Sequence, residues 1–374
     1  MRILSKCVRV GYKYALKPVL FSFDPEKIHD LFLHIGNFLG KHSVLKKINR
    51  IAFYYENPIL RQKICGIEFK NPVGLSEGFD KDGMLVNILD DVGFGFMQVG
   101  SVTLCPYEGN TKPRLKRLKN SKSIWVNFGL KNIGVEKILR RISKRKNKAF
   151  PISISVAKTN CWQTAEKSCG IKDYLGSLKH ILETQEADFL TLNISCPNAF
   201  GGEPFTDKES LTELLSEVFK DFVGLNIPVF IKMPLSLEWK NFKELLDVIL
   251  NFPISGVIVG NLMKDRAGVH PKDSLKHLHG GISGKPMNDK ANEYIAKTYL
   301  YCGDRLKIIG VGGVFSAEDA YKMIKNGASL VQLITGMLFE GPQLIGEINE
   351  GLVKLLRKDG FNALSEAIGK NVKK

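Results

Sequence analysis

From about residue 60 onward, short apolar runs recur, each followed by glycine or polar residues and then a helical stretch, and this rhythm restricts the chain more than any other feature. The runs lie at 73–75, 96–99, 152–156, 189–194, 229–233, 256–259, 307–311 and 330–333. Short, largely apolar runs of this kind read as buried strands. Helical spacing of apolar residues fills the gaps, as at 210–222, 240–250 and 317–326. Eight strands alternating with helices predict the α/β class, with a closed (β/α)8 TIM barrel as its architecture. An open doubly wound sheet is the alternative. Against it, the first run is not followed by G-x-G-x-x-G, so the phosphate loop of a dinucleotide fold is missing. The chain has 374 residues and is 44% hydrophobic, enough for one large core.

The first fifty residues read differently, as a small N-terminal helical extension. Asp24, Pro25 and Glu26 make a helix start: a capping side chain, a proline at the first helical position and an early acid. Ile28, Leu31, Phe32, Ile35, Phe38 and Leu39 then keep helical spacing. The preceding stretch holds Arg2, Lys6, Arg9, Lys13 and Lys17 and no acid before Asp24. Periodicity leaves two readings open: helices packed on the main domain, or a hairpin lying in a membrane interface with its lysines at the headgroups. The expected division is 1–50 for this extension and 51–374 for the barrel.

The net charge of +16 admits nucleic acid, an anionic membrane surface or an anionic substrate as partner. The basic run from Arg140 to Lys148 has no aromatic interleaving, which argues against nucleic acid. No apolar run approaches a membrane span of roughly 20 residues. The basic charges are spread through the N-terminus, unlike a secretory signal, although a mitochondrial presequence shares that bias. The seven cysteines are scattered without a C-x-x-C pair, so neither a disulfide framework nor a metal site is expected. His270, His277 and His279 share a lysine-containing loop and read as solvated.

A barrel carries its chemistry at the carboxyl ends of its strands. There the sequence places Ser76, Glu77, Gly78 and Lys81; Gly100 and Ser101; Ser155 and Lys158; Asn193 through Asn198; Lys232; Gly260 and Asn261; Gly310 through Gly313; and Thr335 and Gly336. Glycines after the seventh and eighth strands expose backbone N–H groups, which favours a phosphorylated cofactor or substrate. Lysines at two strand ends require an anionic partner or lose their charge. Asn193 and Asn198 can pair with a ligand's donors and acceptors. Cys196 between them is either a base or nucleophile, or an inert buried thiol.

Together these strand ends resemble the dihydroorotate dehydrogenases. The resemblance runs through 69–75, Gly78-Phe79-Asp80-Lys81-Asp82-Gly83, 93–103, Lys112-Pro113-Arg114, Asn193-Ile194-Ser195-Cys196-Pro197-Asn198, 280–286, 309–313 and 327–332, in the family's order. Phe23-Asp24-Pro25-Glu26 and His29 are similar to the extension of the quinone-linked class, which forms a membrane-facing quinone tunnel. The resemblance implies FMN-dependent oxidation of dihydroorotate to orotate in pyrimidine biosynthesis, with a quinone as electron acceptor. It implies a peripheral protein of the cytoplasmic face of the inner membrane, or of the mitochondrial inner membrane in a eukaryote. Cys196 would be the base. Lys232 would face the flavin ring, and Lys81 would reach both substrate and flavin. Asn193, Asn198 and Asn261 would hold the substrate, with Asn127 beside them. Glu77, Gly78, Ser101, Ser155, Asn193 and Gly260 would surround the ring. Gly284, Gly313, Thr335 and Gly336 would line the phosphate, and Arg114 would stand at the quinone tunnel.

The chain also departs from the family pattern. The quinone class uses serine as its base, where Cys196 stands here. The small pair before Gly78 becomes Ser76-Glu77. Val126 replaces a substrate asparagine, Ser155 a flavin-side asparagine, Leu262 a hydroxyl residue and Ile334 a tunnel tyrosine. Each lost hydrogen bond to a charged group is worth roughly 1.5–3 kcal/mol. Two further readings therefore stand beside the first: a flavin oxidoreductase for another small heterocycle, and a non-catalytic membrane-associated flavoprotein.

Overall fold

A computed structural model describes residues 3–200, 202, 205–222, 224, 226–275 and 278–372; Arg2 and His277 lie outside them. Eight parallel strands close into a barrel in chain order: β1 (Val73–Leu75), β2 (Phe96–Val102), β3 (Ile152–Val156), β4 (Phe189–Asn193), β5 (Val229–Met233), β6 (Gly256–Val259), β7 (Lys307–Val311) and β8 (Leu330–Leu333). All eight apolar runs are therefore strands of one barrel. β2 is longer than its apolar run because pairing with β3 resumes past an irregularity between Gly100 and Val102. Helices Lys208–Asp221, Trp239–Ile249 and Ala317–Lys325 match the spacing that predicts them to within two residues.

The bottom of the barrel is plugged by rings. Phe69, Phe96, Phe189 and Phe230 form a chain of edge-on and tilted contacts with centroids 5.4 to 6.1 Å apart along it. Space there is so tight that a Cβ on Gly74 would strike the Phe96 ring. Above the plug, side chains turn polar: Gln98 Nε2 donates to Thr191 Oγ1 at 2.6 Å, and Gln332 Nε2 donates to Gln98 Oε1 at 3.2 Å. The lower half thus fixes the barrel by packing, and the upper half presents hydrogen-bonding groups to the mouth.

Two additions cover that mouth. An antiparallel sheet of Gly281–Gly284, Ser123–Val126 and Leu115–Leu118 lies over one side. The N-terminal helices Ile3–Gly11, Pro25–Lys41 and Ser43–Phe53 lie beside it, the last running past residue 50. Asp24 caps the second of them by accepting from Lys27 N at 2.9 Å. That helix is pinned by charge: Glu26 and Arg114, each 8% exposed at the side chain, form a two-contact ion pair. Removing one partner of a buried pair strands the other charge. Glu26→Ala is expected to cost about 3–5 kcal/mol, read as a lower urea midpoint together with faster proteolysis of the N-terminal helices. An unchanged midpoint would show that the pair does not hold the extension.

Candidate active site

Strand alternation turns Lys232 of β5 and Asn193 of β4 to the barrel axis, where they face each other across the ladder. Lys232 Nζ lies 2.5 Å from Glu77 Oε1, just beyond the end of β1, with both side chains 5% exposed or less. Ser101 Oγ donates to Glu77 Oε2 at 3.0 Å. Since a hydroxyl has one proton to give, Ser101 then accepts from Asn193 Nδ2 at 2.8 Å and from Ser155 Oγ at 3.3 Å. Residues at the ends of five strands, β1 to β5, are thereby joined by one buried polar chain.

Ser195 extends this chain to β6. Its hydroxyl donates to Asn193 Oδ1 at 3.2 Å and accepts from Asn261 Nδ2 at 2.7 Å. Cys196 follows on a loop held from several sides. Asn110 Nδ2 donates to the Asn198 carbonyl at 3.0 Å, and Asn198 Nδ2 donates to the Val126 carbonyl at 3.1 Å. Lys158 Nζ donates to the Phe200 carbonyl at 2.8 Å. Burial holds the Lys158 ammonium below the usual lysine range. These contacts hold the loop that follows Cys196 at Asn198 and Phe200.

Lys81 comes from the glycine-rich turn after β1 and lies 4.1 Å over the Phe128 ring. Desolvation pulls its pKa down to about 8. The turn itself is set by Asp80, whose carboxylate accepts from Met84 N at 2.9 Å and Leu85 N at 2.7 Å. His29 of the second N-terminal helix bonds the Phe79 carbonyl at 2.8 Å. Burial and the nearby Lys81 charge keep this imidazole below its ordinary pKa.

Many of these groups line the larger of two cavities, at the barrel mouth. Glu77, Gly78, Lys81, Ser101, Asn193, Cys196, Asn198, Lys232 and Asn261 stand on its walls, and Gly313, Thr335 and Gly336 close one end. Ser283 and Thr335 bond there at 2.9 Å through their hydroxyls. A second, smaller cavity lies between the N-terminal helices and the barrel. His29, Phe79, Leu115, Ile124 and Leu338 line both, so the two meet.

Several expected residues fall elsewhere. Ser155 is fully buried beneath Ser101 and is not on the cavity wall. Gly260 and Gly284 lie behind the wall, where a Cβ would strike the Val311 and Lys122 carbonyls respectively. Asn127 turns away and accepts from Asn110 Nδ2 at 3.0 Å; its neighbours Val126 and Phe128 take the wall. Arg114 is also corrected. It is consumed by Glu26, and the arginine lining the second cavity is Arg117. Alternation explains this: Leu115 and Arg117 share one face of their strand, and Arg114 does not. Ser195 and Gln332 received no role from the sequence, and His29 only a place in the quinone-class extension. A spacing signal existed for His29, one turn beyond Glu26 on the same helix, but none for the other two.

Comparison with known proteins fits this geometry. A family model described as dihydroorotate dehydrogenase matches residues 59–356. A protein of Crocosphaera subtropica named dihydroorotate dehydrogenase (quinone) is 36% identical over 92% of this chain and 94% of its own length. Its namesake from Christiangramia forsetii is 35% identical over 92% of this chain and 99% of its own. Among solved structures, DHODH from Eimeria tenella in complex with ferulenol superposes with a TM-score of 0.82 at 25% identity, covering 95% of this chain and 99% of that one. With a family match over most of its length and relatives this similar end to end, the chain belongs to the dihydroorotate dehydrogenase family.

Proposed function

We propose that this protein oxidises dihydroorotate to orotate in pyrimidine biosynthesis, using bound FMN and passing the electrons to a quinone at a membrane surface. The family is flavin-dependent, and the relatives named above carry quinone in their names. The observation that carries the reading is the junction of two unlike cavities. One carries Lys81, Lys232, Cys196 and three asparagines among its apolar residues; the other is bounded almost wholly by apolar residues such as Leu20, Phe21, Ile28 and Phe32. A polar substrate and an apolar acceptor thus have separate approaches to one centre.

The residues fit FMN. Gly313 and Gly336 keep the backbone bare at one end, and a Cβ on Gly336 would strike the Val314 carbonyl. Gln332 Oε1, on the cavity wall, is a buried acceptor with no hydrogen-bond partner among the described residues, suited to an N–H of an occupant. Gly313, Thr335, Gly336 and Ser283 would hold the phosphate, and Glu77, Gly78, Ser101, Asn193 and Lys232 would surround the ring. When bound, the flavin supplies a hydride acceptor and the relay to quinone.

The chain's own residues then do the rest. Asn193, Asn198 and Asn261 orient the substrate ring through amide pairs, and Lys81 attracts its carboxylate. Cys196 takes the C5 proton onto Sγ as hydride leaves C6. Val126 and Leu262 present apolar wall beside these amides, so the donor set rests on the three asparagines and Lys81. The lid from residue 196 to 200, held by Lys158 and Asn110, excludes water from the proton transfer.

Membrane docking is supported by the outer faces of the N-terminal helices. Val10, Tyr14, Val19, Phe23, Phe38 and Val44 are all more than half exposed. Lys6, Arg9, Lys13 and Lys17 lie along the same segment, as an anionic lipid surface favours. No helix among the described residues is long and apolar enough to cross a membrane.

The test is anaerobic mixing of the yellow protein with dihydroorotate. Rapid bleaching is expected, and Cys196→Ala should slow it roughly 10²- to 10⁴-fold; an unchanged rate would remove Cys196 as base. Deleting residues 1–50 should impair quinone turnover far more than bleaching, and equal losses would count against the apolar cavity as the quinone site. Orotate affinity should fall as pH rises through about 8, where Lys81 loses its charge in the unliganded protein. Lys81→Met should bind more weakly at neutral pH and lose that decline, whereas a decline that persists in the variant belongs to another group.

A further inference from the structure

The buried pair at the centre of the site has a consequence for the cofactor. Lys232 is an ammonium with a side chain only 4% exposed, on the wall of the larger cavity. Alone, such a cation would favour any occupant that gains negative charge, and a flavin gains it on reduction. Lys232 is not alone. Glu77 Oε1 lies 2.5 Å from it, and the other carboxylate oxygen is held by Ser101, so the pair is fixed in direction. A fixed ion pair presents a dipole to the cavity, and its field falls off faster with distance than that of a lone charge.

The other basic groups on that wall are not part of this pair; Lys131 lies 3.6 Å from Glu26. Lys81 lies over the Phe128 ring on the turn after β1, apart from the Lys232–Glu77 pair. His29 is kept below its ordinary pKa and bonds a carbonyl. Glu77 stands where the family pattern has a small apolar residue, so the cancellation is built by this chain's own sequence.

We propose that Glu77 is a positioning residue that clamps Lys232 and cancels its charge, so that the bound flavin is harder to reduce than it would be beside an unpaired lysine. The proposal rests on the flavin reading above and concerns the energy of the reduced state, not the identity of the substrate. Its chemical sense is that Lys232 remains available as a hydrogen-bond donor to the ring while contributing little net charge.

The experiment is spectroelectrochemical titration of the flavin-loaded wild type, Glu77→Gln and Glu77→Asp at pH 7. At a fixed potential within the wave, Glu77→Gln should hold at least a tenfold higher ratio of reduced to oxidised flavin, about 30 mV for a two-electron couple. Glu77→Asp, which keeps the charge, should stay near the wild type. Coincident curves for wild type and Glu77→Gln, or a shift the other way, would overturn the proposal. A second readout uses the wild type alone, in case the glutamine variant fails to hold flavin. Sulfite adds to flavin and leaves negative charge on the ring, so the wild-type flavin should resist it; ready bleaching by dilute sulfite would overturn the proposal. A wild type that refuses FMN would remove the flavin reading itself, an outcome distinct from a loaded protein whose variants share one potential.

Discussion

A lysine ammonium buried at the end of β5 is the constraint from which the rest of the site follows. An isolated charge in that position would be far too costly to keep, and a buried pair is tolerated only when its remaining hydrogen-bonding capacity is met. Glu77 from the end of β1 meets the charge, Ser101 from β2 meets the second carboxylate oxygen, and Asn193 from β4 meets Ser101. Asn193 in turn orders Ser195, and Ser195 orders Asn261 beyond β6. Disturbing any member leaves a neighbour unsatisfied, so the mouth is organised before a ligand arrives. Such organisation is what electrostatic catalysis requires, since the groups need not rearrange as charge moves.

The N-terminal helices complete the site and do more than shield it. His29 and Phe79 stand where the two cavities meet, and both depend on the second helix being held at one angle. The Glu26–Arg114 pair sets that angle from the side of the covering sheet. The same helices also turn apolar side chains such as Val19 and Phe38 outward. The two cavities thus share a layer of side chains that includes His29, Phe79 and Leu115.

Much of this architecture was legible in the sequence, for physical reasons that differ by element. The barrel strands were readable because burial on both faces favours apolar runs such as Val73–Leu75 and Gly256–Val259. Lys232 and the glycines after β7 and β8 were readable because strand ends carry the chemistry of a barrel. The covering sheet escaped notice, since Leu115–Leu118 and Ser123–Val126 are four residues each and carry Lys116, Arg117 and Ser123. Without that sheet, strand parity could not separate Arg114 from Arg117, or Val126 from Asn127. Glu77 was visible as a departure, but its ion pair was not, because its partner lies more than 150 residues away in sequence. Ser195 had no signal either: its importance is its position between two amides that only the closed barrel brings together.

The central claim is that one barrel mouth brings Lys81, Cys196, Lys232 and three asparagines to a common ligand. A crystal structure of the FMN-loaded protein with orotate tests it most directly. Orotate is expected against Cys196 Sγ, with its ring amides on Asn193, Asn198 or Asn261 and the Lys232–Glu77 pair intact beside the flavin. Orotate bound outside that cavity, or a ring site in which Lys232 and Cys196 lie out of reach of the ligands, would contradict the account.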